Sequence, residues 1–494
     1  MPSKSINIPS NFNTQSVLGF PSPSFLLNLC KILVVAGLLL SSFSFFIINI
    51  NPSCSHVSTN SLSNPLQNIV VAPPAPDPPT DIGDLVFGLV GSVNAWPTRR
   101  HYIESWWVTN LTRGYMFLDV PPPEKLLPWP STSPPYRVSE DNSETILKFT
   151  KQNDTMVRIA RSLLETFKQG DKGVRWFVMG DDDSIFFLEN WIELLRKYDH
   201  NKYVYIGGHS ESVLPNFIHS FEMGFGGAGV AFSYPLAQAL VPRLDECIKR
   251  YPQLYAADQM WQSCCADIGV FLSPQRGIHQ IDLHGDISGL LSAHPPVPII
   301  SLHHPEKVNP YFPKLDRKDS VNHLMKAAKV DQSRLLQQSV CYNRENSWSF
   351  SVAWGYSVHI YEAMYPMSIL QKPLETFKPW VIKNVVPPFF IFNTRWPVRD
   401  PCLAPHVFYM ESIEDGAEDD LIVTTYKREG PRGLHACLAN GNHSADYVSN
   451  IRVYSSSTKL KGESRRDCCD VVSLDESNLV EIKYRECLKD EVVA

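Results

Sequence analysis

Three consecutive carboxylates, Asp181, Asp182 and Asp183, stand in the stretch RWFVMGDDDSIFF, residues 175–187, between two apolar runs. Neighbouring carboxylates in a partly desolvated cleft repel one another, and a divalent cation relieves that repulsion. An exposed acidic turn would account for a lone DDD, but here a hydrophobic strand leads directly into it. The spacing does not fit an EF-hand, which needs oxygen ligands at alternate positions and a Glu at the twelfth. Three other constellations could complete a site. FGFGGAGVAFS centres on Gly226, Gly227, Ala228 and Gly229, small residues that either admit a ligand close to the backbone or form a tight packing turn. Ser233 behind it could cap a helix with Pro235 in its first turn. YAADQMWQSC sets Asp258 just ahead of an apolar helix start, as a reactive carboxylate or as a first-turn acid. PIISLHHPEK places His303 and His304 after an apolar run, where one buried and one exposed imidazole would be the plain alternative. Carboxylates with an imidazole suit Mn²⁺, with Mg²⁺ as the alternative, and such an ion would neutralise a diphosphate. A separate carboxylate, Asp258, could then act as general base.

The elements that must position these residues are legible around them. DLVFGLVGS (84–92), RGYMFLD (113–119) and VRWFVM (174–179) read as strands, the first buried and parallel. A helix is expected through Arg99 to Trp107, and another from the spacing of Met156, Ala160, Leu163, Leu164 and Phe167, with Gly170 placed to stop it. After the aspartates, Leu188, Trp191, Ile192, Leu195 and Tyr198 again recur at helical spacing. Such alternation predicts an α/β domain with a mainly parallel sheet, and ligands of such sheets bind beyond the carboxyl ends of the strands, where the aspartates fall. From about residue 335 the pattern changes to short strands such as HVFYM, LIVTTYK and IRVYSS without helices between them. Residues 335–494 are therefore expected to form a β-rich accessory region, and they carry the last six cysteines.

The chain is 494 residues long and 44% hydrophobic, enough for a large core and more than one folding unit. Its net charge of −6, with no long basic run, argues against nucleic acid as a partner. ILVVAGLLLSSFSFFIINI, Ile32 to Ile50, carries no charge and comes close to the ~20 residues a helix needs to cross a bilayer. It lacks the small-residue cleavage site of a signal peptide. Lys4 and Lys31 precede it, whereas the first ionised residue after it is Asp77, which predicts a cytoplasmic tail (1–31), a membrane anchor (32–50) and the rest of the chain on the far side. Residues 51–80, rich in Ser, Asn and Pro, read as a stem, and 81–334 as the catalytic domain. The cysteines fit an oxidising lumen, with the pairing left open. Asn110, Asn153 and Asn442 open glycosylation triplets at about chance frequency.

WFVMGDDDSIFFLENW, GFGGAGVAFS, DQMWQSC and the long block GIHQIDLHGDISGLLSAHPPVPIISLHHPEKVNPYFP resemble the Fringe-related β-1,3-glycosyltransferases, family thirty-one in type, over residues 80–335. The long block most resembles the plant branch catalogued as a domain of unknown function. The resemblance implies a GT-A-like (Rossmann-like) fold, a UDP-sugar donor, Mn²⁺, a glycan or glycoprotein acceptor, and a Golgi type II membrane protein with a lumenal head. It assigns Asp181, Asp182 and Asp183 to the DxD element, with Asp183 on the metal and Asp182 toward the ribose or donor sugar. His304, in preference to His303, would complete the metal coordination. Gly226–Gly229 would line the donor-sugar pocket, and Asp258 would take the proton from the acceptor hydroxyl in an inverting, β-1,3-type transfer. Relatives often have two adjacent acids at this point, where this chain has Ala257-Asp258-Gln259. That departure leaves open a degenerate, membrane-anchored glycan-binding protein, which the intact DDD and His pair oppose. A metal-dependent hydrolase is the third reading.

Overall fold

Runs dense in Val, Leu and Phe form the central strands. β1 (Leu85–Val90), β2 (Gly114–Leu118), β3 (Tyr136–Val138) and β4 (Trp176–Asp181) lie side by side in parallel. After the two-residue β5 (Ile185–Phe186), the strands β6 (Tyr205–Gly207), β7 (Val230–Ser233) and β8 (Leu272–Pro274) complete a seven-stranded sheet in the order β3-β2-β1-β4-β7-β6-β8. Only β7 runs against its neighbours, so this is the mainly parallel sheet that the strand–helix alternation predicts. Successive side chains of a strand point to opposite faces. Accordingly Leu85, Phe87, Leu89, Trp176 and Val178 enter one core, and Val86, Phe177 and Met179 enter a second. Helices α1 (Trp96–Glu104) and α3 (Leu188–Leu195) pack into the first core, and α2 (Asp154–Lys168) and α4 (Ala257–Ala266) into the second. Asn153 caps α2 by accepting from the Thr155 N–H (2.9 Å), and Gly170, at φ +73°, follows its last turn. Ser233 precedes the helix Tyr234–Leu240, yet its hydroxyl donates to the Lys202 carbonyl instead of capping.

This computed structural model describes residues 77–494 except 151, 382, 384, 417–419, 439–443, 460–466, 476–477 and 494. The expected tail and anchor, most of the stem, and Asn442 lie outside the described residues. Among the described residues no helix is long and apolar enough to cross a membrane.

Short strands β9 (Ile278–His279), β10 (Leu283–Gly285) and β11 (Ser301–Leu302) follow the large sheet, and β11 pairs with β5 and β9. Helix α5 (Arg317–Val330) then leads into a second, eight-stranded sheet. Its strands begin with β12 (Gln338–Asn343), β13 (Trp348–Ala353) and β14 (Ser357–Tyr361). The chain returns once to the first half, where β15 (Phe377–Pro379) pairs antiparallel with β10. β16 (His406–Asp415), β17 (Leu421–Arg428), β18 (Asn450–Ser456), β19 (Asp467–Asp475) and β20 (Leu479–Glu486) complete the sheet, antiparallel except between β18 and β20. Residues from both sheets and α5 share one continuous apolar core. Disulfides join Cys247–Cys264, Cys341–Cys469, Cys402–Cys437 and Cys468–Cys487, and Cys265 is a buried free thiol.

Candidate active site

Strand β4 runs two residues further than its apolar stretch, so Asp181 is its last residue and Asp182 and Asp183 form the turn beyond it. The Asp181 N–H donates to Ser184 Oγ (2.8 Å), and that hydroxyl donates to the Gly227 carbonyl (2.6 Å), tying the acidic turn to the glycine loop. His303 follows β11 and brings its Nε2 to 3.1 Å from Asp183 Oδ1 and 3.5 Å from Asp181 Oδ2. The donor atoms of these three residues all lie within 4.8 Å of one another. Neighbouring ligands of a six-coordinate ion bound at ~2.1 Å stand about 3 Å apart, so the spacing fits a small divalent cation. His303 Nδ1 is also buried without a hydrogen-bond partner, and Asp183 Oδ1 has only the His303 imidazole beside it, so a bound ion would add charge compensation that the protein supplies sparsely.

Asp182 does not join this group. It accepts from Arg99 Nη1 at 2.8 Å, and Arg99 also holds Glu306 at 2.9 Å. Gly91 makes room for it, since a Cβ there would lie 2.8 Å from Asp182 Oδ2. His304 does not join either. At φ +52° its Nδ1 stands 3.2 Å from Asp282 Oδ1, and its ring lies nearly parallel to Trp380 at 4.9 Å. The imidazole brought to the carboxylates is thus that of His303, and the expectation favouring His304 does not match this geometry. His304 turns out of the extended backbone at φ +52°, so it is His303, continuing from β11, that faces the acids. The ring of His304 backs that of His303 at 3.8 Å.

The glycine loop is filled by the site's own side chains. A Cβ on Gly226 would lie 2.5 Å from Asp258 Oδ1, one on Gly227 would lie 2.1 Å from the His303 ring, and Gly229 sits at φ +99°. The Ala228 N–H donates to Gln280 Oε1 (3.1 Å), and its carbonyl accepts from Ser301 Oγ. The loop therefore separates Asp258 from His303 with nothing bulkier than backbone. Asp258 lies in the first turn of α4, half-buried, while Gln259 beside it donates to the His219 carbonyl at 3.0 Å. Asp258 opens onto a cleft of about 440 Å³ whose lining includes Tyr255, Gln280, Asp282, His304 and Trp380.

Charge in the site is held under tension. Burial, and then the Asp183 charge, push the Asp182 carboxyl up to about 7 although Arg99 pulls the other way. Burial would also raise Asp183, but His303 and Arg99 outweigh it and hold that carboxyl well below the usual range. His303 answers in kind: burial would lower it, yet Asp183 and Asp181 raise it to about 10. Asp258 is pushed up to about 7, by burial first and by the Asp181 charge second. Sequence reasoning missed Arg99, Glu306, Tyr255 and Trp380. A signal for Arg99 existed, because β1 and β4 are adjacent and parallel, so the helix leaving β1 begins at the same mouth as the aspartates.

A mixed α/β fold with an acidic turn at the carboxyl end of a central strand defines the class, and family comparison agrees. The family model described as Fringe-like matches residues 132–280, which include the three aspartates, the glycine loop and Asp258. The model described as "Protein of unknown function, DUF604" matches residues 215–469, more than half of the chain, and the chain belongs to this Fringe-related family. Only this second match reaches His303 and Trp380. No curated protein matched the chain.

Proposed function

We propose that the protein transfers a sugar from a UDP-sugar to an acceptor hydroxyl with inversion at the anomeric carbon, using Asp258 as general base. The Fringe-like match supports glycosyltransferase activity in general. The observation that carries the finer reading is the convergence of Asp181, Asp183 and His303 on one buried point, with Asp258 just across the Gly226–Gly229 loop. Those three residues would hold Mn²⁺ or Mg²⁺, which would supply neutralising charge to a leaving diphosphate. Arg99 fixes Asp182 beside this point. Asp258, poised near neutrality, accepts the proton of the attacking hydroxyl; a base so placed contributes typically ~10²–10⁴-fold. Gln259, which donates to the His219 carbonyl, offers no second acid at this turn, so the base role falls to Asp258. A β-1,3 linkage, a glycan or glycoprotein acceptor, and a Golgi type II placement with a lumenal head belong to the same proposal. Four disulfides and the uncharged stretch at 32–50 support the placement.

Calorimetric titration of the full-length protein with UDP tests the site. Binding should require Mn²⁺ and vanish in Asp183→Ala with the fold intact. A folded protein that binds no UDP would overturn the proposal in favour of a glycan-binding protein, and a retained α-linkage in the product would refute inversion.

A further inference from the structure

We infer that the cleft beside Asp258 takes a neutral saccharide as acceptor, with the exposed Tyr255 ring as the face on which it rests and Trp380, stacked between neighbouring imidazoles, as a fixed wall of the cleft. The inference builds on the transfer reading above. The cleft, about 440 Å³, falls within the ~300–1,000 Å³ range of small-molecule sites. Two groups of rings line it. Tyr255 packs edge-on to His219 (centroids 5.9 Å apart), which packs edge-on to Phe225 (6.4 Å). Trp380 lies nearly parallel to both His304 and His284, each at 4.9 Å.

A pyranose presents apolar C–H faces and a rim of hydroxyls, and such a cleft answers both: rings for the faces, with Gln280, Asp282 and Asp258 for the rim. Its described lining includes Asp258 and Asp282 but neither Lys nor Arg, so a uronate would meet like charge without compensation.

Trp380 is also set in advance of any ligand. Its N–H donates to Ser212 Oγ (3.1 Å) and its carbonyl accepts from His284 Nε2 (3.1 Å), so both sides of its backbone are fixed. It comes from the chain's return to the first half, beyond the Fringe-like match and within the other.

The test titrates the full-length protein, prepared without sugar-headed detergent, with Mn²⁺ and UDP present. The probes are neutral cello-, xylo-, galacto- and manno-oligosaccharides, an oligogalacturonate, and a Ser/Thr peptide. At least one neutral oligosaccharide should bind, and Tyr255→Ala and Trp380→Ala should each weaken it by about tenfold. Mn²⁺-dependent UDP affinity should stay unchanged in both variants, which separates a lost contact from a lost fold. Tyr255 is 68% exposed, so its variant should fold even if the Trp380 one does not. Tighter binding of the oligogalacturonate or the peptide, no neutral oligosaccharide bound by a UDP-binding protein, or full affinity in the Tyr255 variant would each overturn the inference. Saccharide binding without UDP binding would refute the transfer reading and leave the saccharide assignment standing.

Discussion

Glu362, just past the end of β14, and Asp183, just past the end of β4, are both buried carboxylates, yet their surroundings differ completely. Glu362 accepts from His406 (2.7 Å), Arg432 (3.2 Å), Ser444 (3.0 Å) and the N–H groups of Cys437 (2.9 Å) and Ala445 (2.8 Å). Burial would raise its pKa, but His406 and those backbone N–H groups hold it down to about 2. Arg334 in the same half is similarly surrounded, by Asp331, Asp467 and the carbonyls of Ser456 and Thr458. At the end of β4, by contrast, Asp183 Oδ1 faces a single partner, the His303 imidazole at 3.1 Å, and Asp182 and Asp258 are pushed toward neutrality. Buried polar groups are ordinarily satisfied, and a densely satisfied network fixes a fold. A sparsely satisfied one, held in place by glycines that leave no room to relax, is reserved for something that binds.

The largest effect that could break this contrast is on turnover. Asp258→Asn should lower transfer by roughly 10²–10⁴-fold while Mn²⁺-dependent UDP affinity stays the same, because the amide cannot take the proton but fills the same space. Comparable turnover in the variant would return Asp258 to the role of a first-turn acid. The second effect is on stability. Glu362→Gln leaves His406 and Arg432 facing an uncharged amide and should destabilise the protein by about 3 kcal/mol in urea unfolding, with UDP binding by the folded protein intact. An unchanged midpoint, or lost UDP binding in folded protein, would show that the second sheet takes part in the chemistry through this cluster.

What could be read from the chain follows the range of the interactions. The acidic turn, the glycine loop and the first-turn position of Asp258 were legible because each is set by residues adjacent in sequence: an apolar strand, small residues, an amphipathic helix. The strand ends shifted by two residues because pairing with β1 continues to Asp181, beyond the apolar stretch. The choice between His303 and His304 was not legible, since it depends on the backbone turning out of the extended conformation at His304, φ +52°. Asp182's partner was hidden too, because Arg99 lies 83 positions away in sequence. For the glycines two readings stood open in the sequence, a ligand's approach or a tight packing turn, and the packing around them is long-range. They admit Asp258 and His303 to the backbone, so the crowding is internal. Trp380 reaches the cleft through long-range contacts, the pairing of β10 with β15 among them, and no local pattern announces a return of that length.

The smallest effect sharpens the contrast from the side of the proton. Burial raises the Asp258 carboxyl first and the Asp181 charge adds to it, to about 7. Only the deprotonated form can accept, so kcat/KM should rise with pH along an acidic limb of unit slope and level off above the carboxyl's pKa. A cation held by Asp181 would cancel the second of the two causes and leave the first. Raising Mn²⁺ should therefore move the midpoint of that limb from about 7 toward the ordinary carboxylate range without taking it all the way. Glu362, already satisfied by fixed protein groups, has no counterpart to this shift. A limb that ignores Mn²⁺ between about pH 5 and 8 would mean that Asp181 and Asp258 do not feel one another, and would put the base and the metal point in separate sites.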